Sequence, residues 1–186
     1  ALALSVAKSD YIEVMSNATV FGLYQDNLLG ILAEDWRITL RAKRVVIATG
    51  AHEVPLLFEN NDLPGIMLAS AVRRLVGLYG IHPGSNAVVA TETDQGYQTA
   101  LELLDAGVNV AAVVDAKAEG ARPGLSAAVS ARGTRVLQGR RVVKATGRGR
   151  VNSVLITPVD GVQPDRSEKI SCDLLCVSGG YQPVDA

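Results

Sequence analysis

Residues 86–115 read NAVVATETDQGYQTALELLDAGVNVAAVVD, and their pattern decides the fold class. Asn86–Ala90 is a short apolar run that reads as a strand. From Gln95 to Ala106 the apolar residues Tyr97, Ala100, Leu101 and Leu104 fall at helical spacing, and Gly107 supplies the stop. Val108–Val114 is a second apolar run ending in Asp115. Strand, helix and strand in 30 residues predict a βαβ unit with parallel strands, and hence an α/β fold.

On the C-terminal side a helix is predicted at Leu125–Arg132 and a strand at Arg135–Leu137. Arg141–Thr146 and Val151–Thr157 flank Gly147-Arg148-Gly149 and predict an antiparallel hairpin. Lys169–Cys172 and Leu174–Ser178 read as strands, the second stopping at Gly179–Gly180. On the N-terminal side the apolar spacing from Leu68 to Tyr79 predicts a helix, off whose stripe Arg73 and Arg74 should face solvent. Further back, strands are expected at residues 11–15, 18–24, 28–33, 36–40 and 44–48, with a turn at Gln25–Asn27. Ala1–Ala7 reads as the end of an apolar helix without an initiating Met, so the chain is expected to be an internal part of a longer polypeptide.

Composition narrows the function classes. The 186 residues are 48% hydrophobic and 20% charged, which suits a packed core. A net charge of -1 gives no electrostatic case for nucleic acid or an anionic membrane. No apolar run is long enough for a membrane-spanning helix. Cys172 and Cys176 are the two thiols, which fits a reducing cytoplasm; on one strand they would share a face, and buried core thiols are expected. A disulfide-reductase chemistry wants two close redox-active thiols, usually spaced C-x-x-C, which Cys-Asp-Leu-Leu-Cys does not supply. His52 and His82 are the two histidines and form no metal constellation.

Two apolar runs end in small residues and glycine: Val45-Val46-Ile47-Ala48-Thr49-Gly50 and Leu174-Leu175-Cys176-Val177-Ser178-Gly179-Gly180. Ligands of open α/β sheets sit beyond the carboxyl ends of strands, and glycine there admits close backbone approach. The two runs are expected to lie side by side and to bring Thr49, Gly50, Gly179 and Gly180 to one cofactor cleft. Ala51 and His52 follow the first glycine and are candidates for the same cleft. His52 reads more readily as a loop histidine bonded to backbone, and Glu53 as a solvated carboxylate.

This arrangement resembles the glutathione-reductase-like flavoproteins, in which a second dinucleotide domain is inserted into the first. A closer resemblance, to the alpha subunits of heterotetrameric sarcosine oxidase, is carried by residues 17–29 (NATVFGLYQDNLL), 44–55 (RVVIATGAHEVP) and 60–68 (NNDLPGIML). Residues 110–116 and 178–183 continue it. Related subunits of opine oxidases and hydrogen cyanide synthases share much of the pattern. The resemblance implies a partial first FAD/NAD(P)-binding domain at residues 1–64, an inserted NAD(P)-binding-like domain at 65–172 and a return segment at 173–186. It implies oxidative demethylation of sarcosine, a small amine, in a complex with other subunits. It also implies NAD or FAD in the intact subunit, with none expected on this chain alone.

A βαβ unit that holds a dinucleotide opens with G-x-G-x-x-G. Here the register reads Thr91-Glu-Thr93-Asp-Gln-Gly96, so only the glycine that serves helix–strand packing is present. Glu92 and Asp94 put carboxylates where a pyrophosphate would dock, and Asp94 is expected to cap the helix. Asp115, 19 residues after Gly96, stands where a ribose-binding acid would sit, or where a turn residue ends a strand. Arg140–Arg141 suit a phosphate or a charged hairpin edge equally. Two functions stay open: a nucleotide-domain piece of an amine oxidoreductase subunit, and a non-catalytic interaction scaffold with a degenerate site.

Overall fold

The computed structural model describes residues 2–118, 123–161 and 166–184. They divide into two compact units that meet in sequence at Thr49 and Gly50.

The first unit begins with a short helix, α1 (Leu2–Ala7), and is otherwise an antiparallel meander. Strands β1 (Ala18–Tyr24), β2 (Leu28–Ala33) and β3 (Trp36–Arg41) pair in that order. The turn between β1 and β2 uses Asp26 and Asn27 at positive φ, a conformation that short polar side chains tolerate. Ile31 is buried, while Val20, Phe21, Leu23, Leu32, Trp36 and Leu40 are exposed. The Arg37 guanidinium covers one of them, lying 5.8 Å from the centre of the Phe21 ring. Two expected strands are not formed. Residues 11–15 and 44–48 have no ladder partner among the described residues, so their backbone is left to solvent. Apolar composition alone did not make them strands: Tyr11 is 98% exposed and Val46 is 89% exposed.

The second unit holds the βαβ element predicted from residues 86–115. Strands β4 (Ala51–Glu53) and β5 (Ile66–Leu68) precede α2 (Ala69–Tyr79). Then come β6 (Asn86–Thr91), α3 (Asp94–Asp105), β7 (Asn109–Asp115), α4 (Pro123–Ser130) and β8 (Arg135–Gln138). The hairpin strands are β9 (Arg140–Thr146) and β10 (Ser153–Pro158), joined by β11 (Glu168–Ser171) in a three-stranded antiparallel sheet. β12 (Leu174–Ser178) and β13 (Tyr181–Pro183) complete the unit.

A five-stranded parallel sheet in the order β5-β12-β6-β7-β8 forms the middle layer. Its strands alternate between two cores. Val88, Ala90, Leu175 and Val177 meet Val142, Val154, Ile156 and Ile170 of the antiparallel sheet. Ala87, Val89, Leu174 and Cys176 meet Val72, Tyr97, Ala100, Leu103 and Val129 of the helices. An extra residue in β7, Ala111, absorbs a register shift opposite Ala87 and Val88 and keeps both faces apolar. β12 therefore sits inside the five-stranded sheet, paired with β5 on one edge and β6 on the other.

The two thiols do not share a face as expected, because the strand starts after Cys172. Cys172 lies outside β12, before Asp173, and packs in one core, while Cys176 packs in the other. Burial pushes the Cys172 thiol up to about 12, and burial raises that of Cys176 further. Both are core side chains that stay protonated at neutral pH. Arg73 also departs from its expected exposure. Its guanidinium donates to both Glu102 oxygens (2.8 and 2.7 Å) and to Gln95 (2.6 Å), tying α2 to α3. The hydrogen bonds to Glu102 hold it more firmly protonated than usual.

Candidate functional site

The segments around residues 50 and 180 are adjacent. β4 and β13 form an antiparallel ribbon that pairs Glu53 with Tyr181, His52 with Gln182 and Ala51 with Pro183. Backbone bonds extend it at both ends. Val184 N–H donates to Gly50 O (3.1 Å), Val54 N–H to Gly180 O (2.8 Å) and Gly179 N–H to Val54 O (3.1 Å). The expected adjacency is present, but other residues carry it. The apolar run before Gly50 is not a strand, and the run before Gly179 belongs to the five-stranded sheet. The three-residue strands that carry the contact were too short to show a period.

The glycines have separate reasons. Gly50 and Gly180 stand at φ +87° and +108°, where a Cβ is strained. A Cβ on Gly179 would meet Val54 O at 2.7 Å, so this glycine exists for the chain crossing itself. His52 is exposed on the ribbon, and among the described residues its imidazole makes no hydrogen bond. Thr49 is exposed at the end of the first unit.

Glu53 is not solvated. It is buried, and its Oε2 accepts the Ser70 N–H at 2.8 Å, capping the second residue of α2. Its Oε1 is buried and has no hydrogen-bond partner among the described residues. The paired Tyr181 phenol is pushed up by burial and by the Glu53 charge, with Arg73 opposing.

The loop from Thr91 to Gly96 closes on itself. Thr93 N–H donates to Thr91 Oγ1 (3.0 Å), and Thr91 Oγ1 donates to Thr93 O (2.8 Å). Glu92 N–H is taken by Ser178 O (3.0 Å), and the Thr93 and Ser178 hydroxyls lie 3.1 Å apart. These N–H groups would otherwise point at an anion before the helix. The N-cap is Thr93, without a side-chain cap bond, and Asp94 is the first helical residue rather than the cap. A Cβ on Gly96 would overlap the Thr91 side chain, which confirms this glycine as a packing position. The fit to a pyrophosphate is poor: the Glu92 and Thr93 N–H groups are engaged, and the loop carries two carboxylates, Glu92 and Asp94.

Asp115 is fully buried. Its Oδ2 accepts the Tyr97 hydroxyl (2.9 Å) and its Oδ1 accepts the Lys117 N–H (2.9 Å). Gln138 donates to the same Tyr97 oxygen at 3.4 Å. The carboxylate thus serves an internal network joining α3, β7 and β8. Gly96 and Asp115 lie in the βαβ unit, while Gly50, Ala51, His52, Gly179 and Gly180 cluster at the ribbon; the sequence placed them in one set.

No family model matches the chain. It is 41% identical over 152 residues to the sarcosine oxidase subunit alpha of Corynebacterium sp. (strain P-1), covering 80% of this chain and 15% of that protein. It is 35% identical over 189 residues to the sarcosine oxidase subunit alpha of Rhizobium meliloti (strain 1021), covering 93% of this chain and 18% of that protein. The chain therefore spans less than a fifth of the length of these relatives. In fold it is similar to the thioredoxin reductase of T. acidophilum, with TM-score 0.67 and 17% identity over 98% of this chain and 59% of that one. The NAD-dependent persulfide reductase of A. fulgidus is also similar, with TM-score 0.64 and 17% identity over 97% of this chain and 34% of that one. The α/β architecture, with its parallel five-stranded sheet, is that of this class of oxidoreductases.

Proposed function

The chain belongs with the sarcosine oxidase alpha subunits over the segment it shares with them, and from that premise we propose that it is a nucleotide-binding-fold domain of a flavin-dependent amine oxidoreductase subunit. Its complex demethylates sarcosine oxidatively, with other subunits as partners. The ribbon of residues 50–54 and 179–184 carries the chain out of a first FAD/NAD(P)-binding domain and back into it. Thr49, Gly50, Ala51, His52, Gly179 and Gly180 face the cofactor cleft of the intact subunit. The supporting observation is the backbone pairing between these two distant segments, with Gly179 packed against Val54 O and Gly50 and Gly180 at positive φ.

The βαβ unit itself has a second role as a scaffold. The self-bonded Thr91–Thr93 loop and the internally used Asp115 favour this for the insert. The test is the full-length protein purified with its partner subunits. Sarcosine-dependent formaldehyde release is expected, and its absence with sarcosine and every other N-methyl amine would refute the proposed activity. Replacing Thr91 and Thr93 together by alanine is expected to lower the Tm and leave turnover per folded enzyme unchanged. Lost turnover at an unchanged Tm would return the loop to cofactor binding.

A further inference from the structure

We propose that the outer groove between α2 and α3 seats an amphipathic helix of a partner subunit, which sets a carboxylate against Arg74. The inference rests on the proposed function, in which the chain works in a complex with other subunits. The groove has a volume of about 410 Å³. Ser70, Arg73, Arg74, Gly77 and Leu78 of α2 line it, with Glu102 of α3. α2 buries Val72 and packs Val76 against the helix-side core. Helical spacing then carries Ser70, Arg74, Gly77 and Leu78 to the side of α2 away from that core.

Gly77 is the residue that the described chain does not itself account for. Its φ is not positive, and a Cβ there would meet nothing within 4 Å. Gly96 of α3 makes the contrast, since a Cβ there would overlap Thr91. Glycine inside a helix destabilises it relative to alanine, because glycine loses the most backbone freedom on folding. What it offers in return is close approach by another backbone. Leu78, the next residue, is 69% exposed. The charges of the groove select the character of the occupant. Arg73 is engaged by Glu102 and Gln95. Arg74 is exposed and, among the described residues, makes no hydrogen bond or ion pair. Two guanidiniums against one carboxylate leave the groove positive. A helix crossing at Gly77 covers Leu78 with its apolar ridge and brings an Asp or Glu to Arg74, and ridge-in-groove packing is how helices dock on helix pairs. The guanidinium–carboxylate pair then fixes the register of the crossing.

The experiment uses the full-length subunit, free and together with its partner subunits. Gly77→Leu places a side chain in space that is open in the free subunit, so the Tm of the free subunit should hold or rise. The same variant should weaken association with the partner subunits by at least about tenfold, and Arg74→Glu should do so by a similar factor. A photo-reactive p-benzoylphenylalanine in place of Leu78 should crosslink to a partner subunit in the complex, and Gly77→Leu in the same chain should abolish that crosslink. A lower Tm for free Gly77→Leu would mean that the subunit's own polypeptide fills the groove, and would overturn the proposal. A crosslink within the subunit or to a second copy of it, no crosslink, or variants that assemble as before would each overturn it as well. These outcomes leave the proposed amine oxidation standing. A protein that oxidises sarcosine with no partner subunit would instead remove the multi-subunit reading, and this inference with it.

Discussion

The two glycine-ended runs, Val45–Gly50 and Leu174–Gly180, look alike in sequence and end in opposite surroundings. Leu174–Ser178 is the second strand of a five-stranded parallel sheet, fully covered by helices on one side and by an antiparallel sheet on the other. Val45–Ala48 forms no strand, with Val46 and Ile47 89% and 55% exposed. The difference lies in the neighbours. A strand covered on both faces needs a ladder on each edge as well as apolar side chains, because its N–H and C=O groups have no water to fall back on. β12 finds β5 and β6 on its edges, whereas the earlier run finds no partner among the described residues.

The largest test of that contrast is a paired truncation. Leu175→Ala removes a fully buried side chain between β12 and the antiparallel sheet and should cost about 2–5 kcal/mol. Val46→Ala in the same chain should stay within about 0.5 kcal/mol, the range for exposed positions. Urea unfolding measures both, and equal losses would break the comparison.

The glycines sharpen it at a smaller scale. Gly179→Ala forces a Cβ against the Val54 carbonyl and should cost about 1–3 kcal/mol, because backbone must move. Gly50→Ala meets open space and carries only the strain of φ +87°, about 1 kcal/mol. Thermal unfolding should rank them in that order; the reverse would mean that the crossing is looser than its geometry.

The smallest effect is a pH dependence at the entrance to β12. Asp173 accepts the Ser85 hydroxyl (2.6 Å) and the Ser85 and Asn86 N–H groups (2.9 and 2.8 Å). Burial raises its carboxyl, but the hydrogen bonds from Ser85 and Asn86 outweigh burial and hold it below the usual range, with Arg150 adding to the effect. A folded-state value below the unfolded one gives stability that is present above about pH 4 and lost as pH falls through the folded value. Asp173→Asn should therefore flatten the acid limb of a Tm-against-pH curve. An unchanged limb would remove Asp173 from the account.

The sequence made much of the second unit legible because long elements carry a period. The βαβ unit, the helix after Leu68 and the hairpin around Gly147–Gly149 all formed where their spacing predicted. The short ribbon strands 51–53 and 181–183 left no period to read, and their pairing was found only through the glycines beside them. The role of Glu53 is hidden for a related reason: a carboxylate that caps a helix 17 residues away leaves no local pattern. The loss of two fingerprint glycines was plain in the residues. That Thr91 and Ser178 would take up the loop's donors needed coordinates, because Ser178 is 87 positions away.

The central claim is that this βαβ unit keeps a dinucleotide fold while its phosphate loop is closed by its own side chains. Isothermal titration with NAD and NADH tests it most directly. The account predicts no saturable heat for either ligand up to about 1 mM, a ceiling of about -4 kcal/mol in binding free energy. Saturation at low-micromolar concentration with either one would contradict it.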